Sequence, residues 1–158
     1  NQPLFPEPQP LLSKTPLIMG LDGGQKMSKS RNNAIMLSAT EDETAQLIKR
    51  AKTDADRHIT YDPANRPEVA NLLQLISLCT GQSPEDVAVA IGDGGGGKLK
   101  SVLTESINEY LRPLRARRTE LESNMDFVRD VLRNGIDSAR QYAATTLDEV
   151  RAAMNMKI

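Results

Sequence analysis

Lys26-Met27-Ser28-Lys29-Ser30 places two lysines three residues apart on a polar loop, with serines between and beside them. Ammonium groups on long flexible stems are movable point charges, and hydroxyls add hydrogen-bond donors. Together they suit a polyanion whose charge grows during reaction. The leaving phosphates of a phosphoryl or adenylyl transfer are such a case, because their charge must be neutralised in place. The lysines would then act by electrostatic stabilisation, not by proton transfer. A lysine pair at this spacing also occurs on solvated charged loops, so the pattern alone leaves both readings open.

Other residues with chemical potential read more plainly. Gly92-Asp93-Gly94-Gly95-Gly96-Gly97-Lys98-Leu99 approaches the phosphate-cradling pattern GxxxxGK[ST]. Leu99, however, stands where a Mg²⁺-ligating hydroxyl is required, and the segment before it reads as a helix rather than a strand. The run is better read as a flexible linker between two halves. The single histidine, His58, sits in a polar turn without partner ligands and reads as a surface residue. Cys79 falls on a helix face and reads as packing. Being the single cysteine, it also excludes an internal disulfide and any multi-cysteine zinc site. No metal site is predicted. Arg112, Arg115, Arg117 and Arg118 form the densest basic patch. On a helix Arg115 and Arg118 share a face with Arg112 near it, which suits RNA phosphates or, equally, a solvated helix end paired to Glu120 and Glu122.

The elements that must position the lysine loop are legible on both sides. Pro16-Leu17-Ile18-Met19-Gly20-Leu21 is a short apolar run ended by Asp22-Gly23-Gly24, which predicts one buried strand and a turn. Helices follow. Ser38-Ala39-Thr40-Glu41 and Thr40-Glu41-Asp42-Glu43 are overlapping capping boxes, and Thr44, Leu47, Ile48 and Ala51 share one face. Pro67 opens the next helix, with Val69, Leu72, Leu73, Ile76 and Cys79 as its buried stripe and Gly81 as its stop. Ser83-Pro84 starts a short helix to about Ile91. A long amphipathic stretch from Leu99 to Leu114 contains Pro113, which predicts a kink or an end there. Two closing helices are predicted, one stopping at Gly135 and one using Ile136, Ala139, Ala143, Leu147, Val150 and Met154.

Composition agrees with a helical chain. Apolar residues make 39% of 158 residues but aromatics only 3%, so the core is built from aliphatic side chains. A net charge of −1 gives no global pull toward nucleic acid. With no apolar run near 18 residues and no basic-then-apolar leader, a soluble cytoplasmic protein is expected, with no membrane partner. The proline-spaced opening (Pro3, Pro6, Pro8, Pro10, Pro16) without an initiator methionine reads as a loop entered midway, as in a fragment.

Lys26-Met27-Ser28-Lys29-Ser30 matches letter for letter the second signature of class I aminoacyl-tRNA synthetases. Lys52-Thr53-Asp54, Tyr61-Asp62, Val69-Ala70-Asn71-Leu72-Leu73, Thr80-Gly81-Gln82-Ser83 and Leu111-Arg112-Pro113 follow in an order and spacing that resemble the C-terminal region of bacterial tryptophanyl-tRNA synthetases. The resemblance runs from about Leu17 to Met154. It implies a mainly α fold: a helical bundle, the anticodon-binding domain, at residues 38–158. Residues 1–37 would be the last strand and KMSKS loop of a Rossmann-type catalytic domain.

By this resemblance Lys26 and Lys29 contact pyrophosphate as the α–β phosphate bond breaks. Ser28 and Ser30 donate to phosphate or shape the loop, and Ile18 and Met27 lie at the adenine. Gly23 and Gly24 serve as a hinge or only as a turn, and Thr53-Asp54 is a cap or a support close to the loop. Arg112, Arg115 and Arg118 approach the tRNA. The implied ligands are ATP with its Mg²⁺, tryptophan in a pocket outside these residues, and tRNA(Trp), in an enzyme that is a homodimer when intact. The first class I signature, of His-x-Gly-His type, is not among these residues, so this piece alone is not expected to activate tryptophan. Arg31-Asn32-Asn33 stands where many relatives carry an acidic residue, and the Gly94–Gly97 run is richer in glycine than is usual. A tyrosyl or other class I enzyme, and a non-catalytic helical RNA-binding module, are the alternatives.

Overall fold

The computed structural model describes residues 4–13, 15–24 and 26–156. Asn1, Gln2 and Pro3 of the proline-spaced opening and Gln25 of the polar loop lie outside them. Five helices occur among the described residues: α1 (Glu41–Lys49), α2 (Pro67–Thr80), α3 (Pro84–Ile91), α4 (Gly95–Glu122) and α5 (Met125–Ala153). Short 3-10 turns lie at Lys29–Arg31 and Gly92–Gly94. The chain divides into two compact units, Ser13–Ala116 and Arg117–Ile158 with Asn1–Leu12.

Local chemistry explains where the helices of the first unit begin and stop. Thr40 accepts from the Glu43 amide while Glu43 reaches back to the Thr40 amide, so the second predicted capping box is the one used. A cap of this kind is worth about 1 kcal/mol. Pro67 takes the first turn of α2, and Gly81, at φ 77, ends it with its amide on Ser77. Ser83 caps α3 through the Asp86 amide. Each helix then turns one apolar face inward. Ile48, Leu72, Leu73, Ile76, Leu99 and Leu103 are fully buried, and Val69, Val87, Ile107 and Leu111 extend the same core. Cys79 packs against it from the side, as expected of a small apolar residue.

Three sequence expectations change. The Gly92–Gly97 run is not a flexible linker: it turns tightly and opens α4 against the segment that follows α1. Ile59 donates its amide to the Gly92 carbonyl, and Gly95 donates to Arg57 with φ 68, a conformation that favours glycine. At Gly96 an added Cβ would sit 3.1 Å from Thr53 Oγ1, so absence of a side chain permits this approach. The run follows helix α3 rather than a strand, which removes the phosphate-loop reading.

Second, of the kink or end expected at Pro113, the end does not occur: α4 runs through it to Glu122. The carbonyl that Pro113 deprives of a ladder bond belongs to Glu109, and both residues are exposed, where water can replace that bond. Third, α5 continues past Gly135, where one glycine costs a helix only about 1 kcal/mol.

The predicted strand at residues 16–21 does not form: no strand occurs among the described residues, residues 16–20 have no regular secondary structure, and Leu21 enters a turn. The backbone of this segment finds other partners. Asn71, on α2, accepts from the Met19 amide at 3.2 Å and donates to the Met19 carbonyl at 3.1 Å, as a neighbouring strand would. On the other side Met27 donates to the Ile18 carbonyl and Leu21 to the Asn33 carbonyl. Residues 18–21, with no sheet beside them, thus find backbone partners in one carboxamide, their own return loop and the Lys52 amide.

Arg66, at the entrance to α2, holds the segment between α1 and α2. Its Nε and Nη2 each lie 2.7 Å from an oxygen of Asp54, and Nη1 donates to the His58 carbonyl and the Thr60 hydroxyl. The guanidinium hydrogen bonds hold the Asp54 carboxyl below the usual carboxylate range. A carboxylate depressed in the folded state contributes stability above its unfolded pKa of about 3.9 and loses it as pH falls through the lower folded value. Asp54→Asn is therefore expected to lower the denaturant midpoint at pH 7 and to shrink its fall between pH 5 and about pH 2, followed by circular dichroism. An unchanged acid profile would show that this pair carries none of the pH dependence.

In the second unit α5 begins at Met125 after its N-cap Asn124, whose side chain accepts from the Phe127 amide, and it has no buried residue. Its surface carries Asp–Arg pairs at i,i+3: Asp126–Arg129, Asp130–Arg133, Asp137–Arg140 and Asp148–Arg151. Exposed pairs of this kind are worth only a few tenths of a kcal/mol each, about 0.2–0.5.

Candidate functional site

The lysine loop leaves the segment of residues 16–21 at Asp22 and returns at Asn33, and the described residues between them have distinct settings. Lys26 and Lys29 are exposed. Met27 between them is half-buried and packs against the core beside Ile18, so the loop is pinned by its methionine while both ammonium groups face solvent. Ser28 stands at the N-cap of the 3-10 turn Lys29–Arg31 with extended backbone. Its hydroxyl lies 2.9 Å from that of Ser30. Asn32 follows in the left-handed conformation at φ 53, which short polar side chains tolerate.

Asn33 is the buried polar residue of the site, 4% exposed. Its Oδ1 accepts the Ser28 amide at 2.8 Å, and its Nδ2 donates to Asp22 Oδ1 at 2.9 Å and to the Lys26 carbonyl at 3.2 Å. Asp22 Oδ1 also accepts from the Gly24 amide at 2.9 Å. The Gly24 amide first, and the Asn33 carboxamide second, hold the Asp22 carboxyl below its ordinary value. Gly20 makes room for this cluster: a Cβ there would lie 2.0 Å from Asn33 Nδ2.

The outer edge of the turn is covered by an ion pair. Lys52 Nζ lies 2.7 Å from Glu68 Oε1, and its amide donates to the Leu21 carbonyl at 2.8 Å. The hydrogen bond that Lys52 donates to Glu68 raises the Lys52 pKa and lowers that of Glu68. A Cβ on Gly23 would stand 3.0 Å from Lys52 Cδ and 3.1 Å from Glu68 Oε1. In the Lys52-Thr53-Asp54 stretch it is Lys52 that touches the base of the loop. Thr53 packs at the start of α4 and Asp54 serves Arg66.

The other predicted residues lie elsewhere. Arg112 pairs with Glu109 at 2.7 Å and is exposed. Arg115 is half-buried and donates to Asn108 at 2.9 Å and to Thr44 at 2.9 Å, tying α4 to α1. Arg118 pairs with Glu122 at 2.7 Å. His58 Nδ1 lies 2.7 Å from Asp93 Oδ1 on the surface. Among the described residues no three His, Cys, Asp or Glu side chains are grouped to hold a metal ion.

Asp22, Asn33 and Asn71 were not among the predicted site residues. Each is a short polar side chain in a polar or amphipathic stretch. The one available signal was an asparagine directly before the apolar pair Ala34-Ile35, which marks where the loop re-enters the core.

Residues 1–112 match the family described as tRNA synthetases class I (W and Y), and the chain belongs to that family. Among curated relatives, the tryptophan–tRNA ligase of Thermosynechococcus vestitus is 36% identical over 164 residues, covering 100% of this chain and 50% of that protein. That of Aquifex aeolicus is 36% identical over 158 residues, covering 97% of this chain and 39% of its own. The chain thus spans half or less of the length of these relatives. In fold it is similar to the crystal structure of tryptophanyl-tRNA synthetase from Mycoplasma pneumoniae, with a TM-score of 0.75 at 23% identity over 90% of this chain and 46% of that one.

Proposed function

We propose that this chain is the part of a tryptophan–tRNA ligase that supplies the ATP and pyrophosphate loop and the tRNA-binding helices. Residues 1–37 close the Rossmann-type catalytic domain, and residues 38–158 form the helical anticodon-binding domain. The observation that carries the reading is the presentation of Lys26 and Lys29. Both ammonium groups are exposed on a backbone fixed from beneath by Met27 and Asn33.

In the complete enzyme the tryptophan carboxylate attacks the α-phosphorus of ATP, the bond to the bridging α–β oxygen breaks, and pyrophosphate leaves. Lys26 and Lys29 neutralise the charge gathering on that pyrophosphate, and Ser28 and Ser30 donate hydrogen bonds to it. Ile18 and Met27 border the adenine, and Mg²⁺ arrives with ATP. The tryptophanyl-adenylate then passes tryptophan to the 3′ end of tRNA(Trp), releasing AMP. Arg112 and Arg118, in exposed pairs that a phosphate can displace, contact the tRNA backbone. Arg115, bound to Thr44 and Asn108, supports that surface by holding α1 on α4. The whole enzyme is a cytoplasmic homodimer on this reading. Among the described residues no helix is long and apolar enough to cross a membrane.

Two assays on the complete protein test the proposal. Pyrophosphate exchange into ATP is expected with tryptophan alone among a panel of amino acids; exchange driven by tyrosine instead would replace the amino-acid assignment. In the second, tryptophan, tyrosine and methionine acceptor tRNAs are titrated across a salt series. Preference for the tryptophan acceptor, weakened by Arg112→Ala and with a shallower salt slope by about one, supports the tRNA surface. Equal binding to all three acceptors would remove it.

A further inference from the structure

Beside the packing of Met27, one buried polar side chain grips the backbone of the loop that carries the two lysines. Asn33 bonds to the backbone on both sides of Met27, at the Lys26 carbonyl and at the Ser28 amide. Its own carbonyl accepts from Leu21, so residue 33 is itself fixed to the segment of residues 16–21. Ser28 is the N-cap of the turn on which Lys29 stands. A single carboxamide therefore sets the backbone that presents Lys26 and the backbone that presents Lys29.

Asparagine is the side chain this position requires. The Ser28 amide can only donate, so it must face Oδ1; the Asp22 carboxylate can only accept, so it must face Nδ2. The two neighbours fix the amide orientation independently, and Asp22 is in turn held by the Gly24 amide. An aspartate at 33 would have no proton for the Lys26 carbonyl and would set two carboxylates against each other. Gly20 forms the wall of the same seat, with no space for a Cβ.

We propose that Asn33, anchored on Asp22, is the positioning residue that holds Lys26 and Lys29 in register for the leaving pyrophosphate. This rests on the ligase reading above. Asn33 touches no reacting atom; it acts through the backbone of residues 26 and 28. Long lysine stems lose their advantage when their attachment points drift, and misplacement by about 1 Å costs on the order of 100-fold in rate.

The test uses the complete protein, wild type against Asn33→Asp, Asn33→Ala and the exchanged pair Asp22→Asn/Asn33→Asp. Asn33→Asp is expected to lower kcat for tryptophan-dependent pyrophosphate exchange on the order of 100-fold while KM for tryptophan moves less than about threefold. The exchanged pair restores the bond between residues 22 and 33 with donor and acceptor reversed. It should recover about tenfold over Asn33→Asp, and remain below wild type because the Lys26 carbonyl still lacks its donor and the Gly24 amide, which shares the same Asp22 oxygen, loses its acceptor.

A second readout needs no catalysis: trypsin cleavage after Lys26 and Lys29 should quicken in Asn33→Asp and Asn33→Ala and slow again in the exchanged pair. Wild-type kcat in Asn33→Asp, an equal loss in the exchanged pair, or unaltered trypsin cleavage in all variants overturns the inference. Absence of exchange in the wild-type protein refutes the ligase reading instead, and the trypsin comparison still decides whether Asn33 holds the loop.

Discussion

Lys29→Ala in the complete protein is expected to slow tryptophanyl-adenylate formation by about 10²–10³-fold, with a much smaller change in the KM for ATP. The asymmetry follows from when the charge appears. In ground-state ATP the β- and γ-phosphates are already partly neutralised by Mg²⁺. As the α–β bond breaks, negative charge moves onto the bridging oxygen and calls for a further cation. An ammonium on an exposed loop is well hydrated, so it pays desolvation wherever it binds. It gains most where the opposing charge is greatest, which is the transition state. Single-turnover measurement of adenylate formation against ATP concentration separates the two terms. An equal loss of ATP affinity with an unchanged chemical step would assign Lys29 to ground-state binding. Lys29→Arg should recover little, because a planar guanidinium presents its donors in a fixed fork rather than as a compact charge.

The largest expected stability effect lies in the first unit. Leu99 is fully buried one turn into α4, where the glycine-rich start of that helix meets the segment after α1. Leu99→Ala is expected to cost 2–5 kcal/mol, about the range for a buried leucine whose cavity cannot collapse. Alanine is at least as good a helix former as leucine, so none of that loss comes from helix propensity. Amide hydrogen exchange in α2 and α4 should quicken by about 30-fold or more, since each 1.4 kcal/mol is about a factor of ten. Val89→Ala on α3, 83% exposed, provides the contrast and should change little, about 0.5 kcal/mol at most. A comparable effect at both positions would mean that burial in this core does not govern its stability.

These results rest on features of very different legibility in the sequence. Helix starts were readable because caps and first-turn prolines act within four residues of themselves: Thr40 with Glu43, Pro67 and Ser83 all stand where the pattern put them. The lysine loop stands out in the sequence because its residue types are chemically unusual as a set. Breakers misled. Pro113 and Gly135 each remove something local, one hydrogen bond or some backbone rigidity, and a helix that continues on both sides outweighs the loss. The glycine run misled for the opposite reason. Conformational freedom in the unfolded chain was read as flexibility in the folded one, whereas the missing side chains admit Thr53 and Arg57. Asn33, Asp22 and Asn71 were invisible because their roles depend on partners 5–52 positions away in the chain, and a lone polar letter does not reveal whether it is buried.

The grip on the loop has a consequence for how its sequence can vary. At positions 19, 26 and 28 the anchoring bonds end on main-chain amides and carbonyls, which every residue other than proline supplies. The scaffold thus asks for particular letters at 20, 22, 33 and 71 and is indifferent to those at 19, 26 and 28. A saturation library scored once for folded protein and once for turnover would separate the two alphabets. Positions 26 and 28 should be permissive in the first score and narrow in the second, whereas position 20 should be narrow in both. The loop is in that sense a cassette: its outward-facing letters can be rewritten without rewriting the frame that holds them.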